Sequence, residues 1–205
     1  MKKREKKPFT QRLKQAVREI TKPDRPLHSP EQFGRLYQEK HMLVFRHIYG
    51  LCGGPTPLVE DLTAETFMRG WRARADFTGD SKAATGWLLR IARNLVIDHQ
   101  RSGIERNTVL FSDDFEQGSQ TGLPEEELIL AEQQAVLITL LQELPLQKRE
   151  MVTLRYLLEW RVREIADYLE IPENTVSVTI QRSLRQMRNR WPVVMSQQEQ
   201  ENVKI

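Results

Sequence analysis

The stretch that decides the architecture is Arg161–Trp191, RVREIADYLEIPENTVSVTIQRSLRQMRNRW. Val162, Ile165, Ala166 and Leu169 recur at helical spacing and predict a short helix, with Ala166 small enough to let another helix cross closely. Glu170-Ile171-Pro172-Glu173 reads as the turn, with Ile171 plugging the core and Asn174 or Thr175 capping the next helix. In that helix Val176, Ile180, Leu184, Met187 and Trp191 follow at spacings of four, four, three and four, an inward stripe. The other face offers Ser177, Val178, Gln181, Arg182, Arg185 and Arg188, and between Asn174 and Trp191 there are four arginines and no acid. This is the layout of a helix-turn-helix: one helix braces while the second points its N-terminal residues at major-groove edges and its basic residues at phosphates. An ordinary helical hairpin with a solvated basic face is the plainer reading of the same stripes.

Arg182 and Gln181 are the side chains best suited to base edges, Arg for guanine and Gln for adenine, and Val178 suits a thymine methyl. Thr175 and Ser177 complete the candidate set. Arg185, Arg188 and Arg190 suit phosphates, or serve as solubilising charge.

Working backwards, Leu123-Pro124-Glu125-Glu126-Glu127 has the form of a helix start, with Pro at the first turn and carboxylates where the helix dipole favours them. A helix over 125–143 ends at Leu144-Pro145, and another follows over about 146–158 with Met151, Val152, Leu154 and Leu158 inward. Residues 102–123 lack periodicity and are rich in Ser, Gly, Gln, Asp and Thr, a linker composition. Ahead of the linker three helices are expected. One covers Phe33 to Cys52, with Phe33, Leu36, Tyr37, Leu43, Val44, His47, Ile48 and Leu51 as its stripe, and Gly53, Gly54, Pro55 and Pro57 end it. One covers Leu58 to Arg74, with Leu62, Ala64, Phe67, Met68 and Trp71 apolar; one covers Trp87 to Arg101, with Leu88, Ile91, Ala92, Leu95 and Val96. Between the last two lies a small polar loop, 77–86. A short basic amphipathic helix is expected over 9–20, and Pro23, Pro26 and Pro30 forbid its continuation. The fold class is all-α: a basic extension (1–30), a helical unit (31–102), a flexible acidic linker (103–124), a helix-turn-helix unit (125–192) and a tail (193–205).

Charge follows the same divisions. The chain of 205 residues is only +3 overall, yet residues 1–30 hold ten basic and three acidic side chains, net +7. Residues 104–135 hold one basic and eight acidic, net −7. Such asymmetry suits a chain that fits a polyelectrolyte in one place and avoids or mimics it in another, though two solvated surface segments would look alike. One cysteine, Cys52, rules out a disulfide framework, and no Cys/His cluster has zinc spacing; His28, His41, His47 and His99 are scattered. No cofactor is expected. A basic N-terminus without an apolar stretch is not a signal peptide, and no apolar run approaches a membrane span. The setting expected is soluble, reducing and cytoplasmic.

Three further stretches, in this order, carry a family resemblance. Glu60-Asp61-Leu62-Thr63-Ala64-Glu65-Thr66-Phe67-Met68-Arg69-Gly70-Trp71 comes first. Trp87-Leu88-Leu89-Arg90-Ile91-Ala92-Arg93-Asn94 with Asp98 comes second. Leu144-Pro145, Arg149-Glu150, Glu164-Ile165-Ala166, Ile171-Pro172 and Thr175-Val176 make the third. Over about residues 31–191 the chain resembles the extracytoplasmic-function class of bacterial sigma factors, in the sigma-70 family.

The resemblance implies roles. Asp61 and Glu65, one turn apart, would dock on the coiled coil of the beta-prime clamp of core RNA polymerase, with Met68 and Arg69 beside them, and the second unit would meet the beta flap. Loop 77–86 against the following helix would hold a base that has left the promoter duplex at the minus-ten element. There Phe77 offers a ring face, Gly79 close backbone approach, Asp80 and Ser81 hydrogen bonds, and Asn94 a base-edge partner; Arg90, Arg93 and Arg101 would hold phosphates. Core packing is the alternative role for Phe77 and Trp87, and for Trp87 it is the expected one. The helix-turn-helix would read the minus-thirty-five element. Asp113, Asp114 and Glu116 would imitate a nucleic-acid backbone in a polymerase channel. An anti-sigma factor is an expected partner.

Departures from the family pattern bear on details. Ala83 and Ala84 stand where an aromatic is frequent, Ala64 where Gln is common, Val178-Thr179 where Ser-Arg is frequent, and Glu170 in place of the turn Gly. The basic arm falls outside the match and leaves three roles open: upstream DNA, an anionic membrane surface, or packing on its own protein. Membrane contact is expected only through that arm or an anti-sigma partner. The rival function is a free-standing helix-turn-helix regulator whose first half senses a ligand or dimerises. An enzyme acting on nucleic acid would need a metal-carboxylate cluster, a phosphate-cradling Gly loop or a nucleophile constellation, and the chain has none of these patterns.

Overall fold

The computed structural model describes Leu27, residues 29–106 and residues 125–202. The expected helix over 9–20 and the stretch 107–124, which holds most of the linker, lie outside the described residues. Seven α-helices make up the described residues: α1 Pro30–Cys52, α2 Thr56–Ala73, α3 Ser81–Arg106, α4 Glu125–Gln142, α5 Leu146–Tyr156, α6 Val162–Leu169 and α7 Glu173–Asn202.

The helix ends follow local chemistry. Ser29 caps α1 by accepting from the Gln32 N–H at 3.2 Å, while the Gln32 side chain accepts from the Ser29 N–H at 3.1 Å, with Pro30 preorganised in the first turn. Gly53, at φ 81°, closes α1 and returns its N–H to the Tyr49 carbonyl at 2.8 Å. At the α6–α7 turn a non-glycine adopts the left-handed region: Glu170 sits at φ 58° and ψ 42°. There the Ile171 N–H reaches the Ala166 carbonyl at 3.1 Å, which folds Ile171 against the core as its position in the turn predicts.

The boundaries differ most from the sequence expectation at α3 and α7, and α3 runs on to Arg106, into the stretch 103–124 expected to be linker. The stretch 81–86 is the first part of α3 rather than loop, because the Asp80 carboxylate accepts from the Ala83 N–H at 2.7 Å and starts the helix there. The last helix begins at Glu173, which places Asn174 and Thr175 inside it rather than at its cap, and it runs on through Pro192 to Asn202.

Helices α1, α2 and α3 pack on one another as a first lobe; α4 to α7 form a second. Most predicted core positions are buried, among them Phe33, Leu36, Val44, Ile48 and Leu51 of α1 and Val176, Ile180 and Met187 of α7. The stripe of α2 is the exception: Ala64, Met68 and Trp71 face out, and Val59, Leu62, Thr63, Thr66, Phe67 and Gly70 face in. Thr63 and Thr66 are tolerated inside because each hydroxyl donates to the carbonyl four residues back, at 2.6 and 2.7 Å. Tyr37 of α1 also faces out.

The two lobes share a core. Met151 and Leu154 of α5, Ile165 and Ala166 of α6 and Val176 and Ile180 of α7 belong to the same apolar cluster as the interior of α1–α3. A smaller cluster, Val136, Leu140, Leu141, Leu144, Val152 and Met187, seals α4 against α5 and α7.

Candidate nucleic-acid interface

The arginine-bearing face of α7 is open. Thr175, Gln181, Arg182, Arg185 and Arg188 are exposed, and Ser177 and Val178 are half-buried beside them. Val176, Ile180 and Met187 hold the helix from behind, and Ser183, also buried, donates to the Thr179 carbonyl at 2.8 Å. Arg190 is a structural residue in this arrangement: its Nε and Nη2 donate to the two carboxylate oxygens of Glu143 at 3.1 and 2.9 Å. That fork ties α7 to the end of α4 and holds the Glu143 carboxyl below its usual range through the hydrogen bond and charge of Arg190.

On the outer face of α2, Asp61 is exposed and Met68 is half exposed at 50%. Glu65 accepts from Arg69 Nε at 2.8 Å, a pair one turn apart, and Arg69 also lies 4.0 Å from Asp98 of α3. Trp71 carries the Arg74 guanidinium over its ring, 3.4 Å from the centroid. A mixed acidic and apolar patch results, with Tyr37 and Met42 of α1 also exposed.

The third set of expected residues is divided. Asn94 and Arg101 are exposed along α3. Gly79, at φ 154°, turns the chain where an added Cβ would lie 2.9 Å from Ala83 Cβ and 3.1 Å from the Phe77 ring. The close approach there is to its own protein. Phe77 is 9% exposed and tilts against Trp87 with ring centroids 5.0 Å apart, so its face is committed to core packing. Asp80 caps α3 as described, and Ser81 is the first residue of that helix.

Arg90 and Arg93 face the other lobe. Arg90 Nη2 donates to Glu170 Oε1 at 2.7 Å and to the Tyr168 carbonyl at 3.1 Å. Arg93 Nε donates to Glu150 Oε2 at 2.7 Å, and that carboxylate is fully buried. Burial pushes the Glu150 carboxyl above its usual range, against the opposing pull of Arg93 and of the Tyr168 hydroxyl at 3.4 Å. His47, buried on α1, lies 3.9 Å from Glu150 without a hydrogen bond to either ring nitrogen. Desolvation first, then the Arg93 charge, holds it down to about 3, so it is neutral in the fold. Arg149 closes the junction: its guanidinium donates to the Leu51 carbonyl of α1, to the Gln142 side chain, and to the Gln142 and Leu144 carbonyls at 2.7 and 3.0 Å. An open cleft of about 950 Å³ remains between the lobes, lined by Phe77, Asp80, Trp87 and Arg90 on one side and Trp160, Glu164, Asp167 and Tyr168 on the other.

Periodicity alone did not reveal this junction. His47 reads as one more stripe position, and Arg149-Glu150 stood out only through the family pattern. Gly50 carries no side-chain signal at all, yet an added Cβ there would sit 2.5 Å from Thr153 of α5.

The known proteins to which the chain is similar are sigma factors. Residues 36–103 match the family model for sigma-70 region 2, and residues 134–187 match that for sigma-70 region 4. The chain is 33% identical over 162 residues to the ECF RNA polymerase sigma factor BldN of Streptomyces coelicolor, covering 79% of this chain and 61% of that protein. It is 30% identical over 163 residues to the ECF RNA polymerase sigma-E factor of Salmonella typhimurium, covering 75% of this chain and 82% of that one. Among solved structures, the sigma factor RpoE of Bartonella quintana, determined in complex with the anti-sigma factor NepR, shares the fold with a TM-score of 0.59. Identity there is 17%, over 78% of this chain and 96% of that one.

Proposed function

The chain belongs to the extracytoplasmic-function class of the sigma-70 family, and on that footing we propose that it is an alternative sigma factor. It binds core RNA polymerase, brings that enzyme to chosen promoters and helps to melt the start site, while the polymerase performs the chemistry. The observation that carries this reading is the pairing of two separate surfaces on one chain. One is the acidic and apolar outer face of α2; the other is the exposed, acid-free arginine face of α7.

In this reading Asp61 and Met68, with the Glu65–Arg69 pair, dock on the polymerase clamp, and the second lobe meets the flap. Gln181 and Arg182 read bases upstream, Thr175, Ser177 and Val178 adjoin them, and Arg185 and Arg188 hold phosphates. Arg90, Arg93, Asn94 and Arg101 line the strand at the minus-ten element, with Gly79, Asp80 and Ser81 at the start of α3 beside it. Phe77 supports that loop from the core. The protein acts in the cytoplasm as a regulatory subunit rather than an enzyme, and among the described residues no helix is long and apolar enough to cross a membrane. An anti-sigma factor that covers these faces is the partner we expect to restrain it, as NepR accompanies the Bartonella protein.

Run-off transcription with purified core polymerase on genomic fragments tests the reading. Asp61→Ala/Glu65→Ala should lose core binding, whereas Arg182→Ala should dock normally and lose promoter choice. Wild-type behaviour from both variants would refute these residue assignments.

A further inference from the structure

Arg190 stands apart from the other arginines of α7. Arg182, Arg185 and Arg188 are exposed and, among the described residues, pair with no acid, whereas Arg190 is held by the carboxylate of Glu143. Its Nε donates to Glu143 Oε2 at 3.1 Å and its Nη2 to Oε1 at 2.9 Å, a two-pronged contact between planar groups. Both ends of this fork are anchored. Glu143 follows directly on α4 and its N–H donates to the Thr139 carbonyl at 3.1 Å, while the next residue, Leu144, is buried. Arg190 lies between Met187 and Trp191, which pack on the same small apolar cluster as Leu144.

The two side chains are partly exposed, at 46% and 31%, so the pair adds little to folding stability. What it adds is direction. Apolar contacts beneath α7 hold the helix close but are non-directional, whereas a guanidinium fork on a carboxylate accepts a narrow range of orientations. Arg182 and Gln181 lie eight and nine residues back along the same helix, about 12–14 Å away. Side chains that must meet a partner productively tolerate errors of only about 0.5 Å and 10–20°.

We propose that the Glu143–Arg190 fork is a positioning pair for promoter choice: it fixes the roll of α7, and thereby the aim of Gln181 and Arg182, and touches no DNA itself. This deepens, and rests on, the reading that α7 recognises the duplex upstream of the start site. The other role open to an arginine here is a phosphate contact that Glu143 restrains, and the two roles separate by experiment.

Holoenzyme assembled on purified core polymerase is titrated by fluorescence anisotropy against a promoter recovered by run-off transcription with the wild-type chain, and against the same duplex with its upstream element scrambled. The ratio of the two affinities is the readout. Glu143→Ala and Arg190→Ala should each lower it about tenfold, within the span of one bidentate base contact. The double variant should lose no more than either single one, because both remove the same contact. Arg190→Lys keeps the charge without the fork and should behave like Arg190→Ala, and Glu143→Arg/Arg190→Glu should recover part of the ratio. On the scrambled duplex, Arg190→Ala should keep the wild-type slope of log affinity against log salt.

A slope lower by about 1 in Arg190→Ala would make that residue a phosphate contact and overturn the proposal. So would a higher affinity of Glu143→Ala for both duplexes at an unchanged ratio. Arg182→Ala separates the fork from the reading beneath it. If Arg182→Ala lowers the ratio and the fork variants do not, the positioning role alone fails; if Arg182→Ala also leaves it unchanged, α7 does not read the upstream duplex and the fork has nothing to aim. Should Arg190→Ala lose helicity by circular dichroism, Glu143→Gln, which keeps a neutral acceptor, is measured in its place, with the same supporting and refuting results at smaller amplitude.

Discussion

Replacing Arg149 by Met should cost about 3–4 kcal/mol of folding stability. The residue is 8% exposed, and its guanidinium bridges the carbonyl of Leu51 at the end of α1 and those of Gln142 and Leu144 at the end of α4. Those carbonyls belong to helix C-termini, which lack intrahelical donors and carry partial negative charge. Met preserves the stem, so little packing is lost. Two buried carbonyls and one half-buried carbonyl are left without their donor, at about 1–3 kcal/mol for each buried one, and breaking a buried charged arrangement from one side costs about 3–5 kcal/mol. Part of that returns, because burial already disfavours the cation and holds its pKa below the ordinary value. Against a total of about 5–15 kcal/mol for a typical domain, the effect is large. Urea unfolding, followed by far-ultraviolet circular dichroism and by tryptophan fluorescence, measures it; Trp87 and Trp160 report on the cleft. The two probes should coincide in the wild type and separate in the variant, since Arg149 joins the lobes. Arg149→Lys should recover only a minor share, as one ammonium does not span these acceptors. A Met variant within about 1 kcal/mol of wild type would refute the reasoning.

Three further outcomes follow from the same geometry. His47 of α1 faces Glu150 Oε1 of α5, the oxygen that also accepts from Tyr168 of α6, while Arg93 of α3 donates to Oε2. The unfolded chain takes a proton on this histidine near 6.5 while the fold refuses it down to about 3, so stability should fall as pH drops from 6.5 toward 3. The slope approaches about 1.4 kcal/mol per pH unit, and subtraction of a His47→Leu curve isolates it from Glu150. Glu150 works in the opposite direction, its contribution present below 4.5 and lost as pH rises; an equal slope in the His47→Leu protein would contradict the assignment. Glu170→Gly should raise stability, measured by thermal melting, by up to about 1 kcal/mol through relief of the left-handed backbone at φ 58°. A loss of stability would show that the surface pair with Arg90 matters more than the strain. Arg188→Ala in the holoenzyme should lower the slope of log affinity against log salt by about 1 on every promoter duplex, measured by fluorescence anisotropy, and an effect confined to particular sequences would count against a phosphate role.

Much of this architecture is written in side-chain periodicity. The stripe from Val176 to Trp191 describes α7 because each residue meets one core, and Gly53 ends α1 for a conformational reason visible in its type. The α2 stripe misled because Met68 and Trp71 are apolar residues on an outer surface, the sort of exposure that a protein-binding face tolerates. The start of α3 was hidden because Asp80, Thr85 and Gly86 have loop chemistry, and only the Asp80–Ala83 hydrogen bond reveals a cap. The basic face of α7 was legible as a set: exposed arginines without acids along one side of the helix. Its counterpart on α3 was legible residue by residue but not in its state, since the partners of Arg90 and Arg93 are 80 and 57 positions away. Local pattern carries no information on such pairings. Gly50 and Thr153 likewise meet across the lobes by a fit of shape rather than of sequence period.

Association with core RNA polymerase is the most direct test. Labelled chain, titrated with purified core enzyme in the absence of any inhibitor protein, should bind at or below micromolar concentration and yield promoter-specific open complexes. Asp61→Ala/Glu65→Ala should weaken that association, while Arg182→Ala leaves it intact. A chain that stays free of the polymerase through the micromolar range would contradict the account at its root.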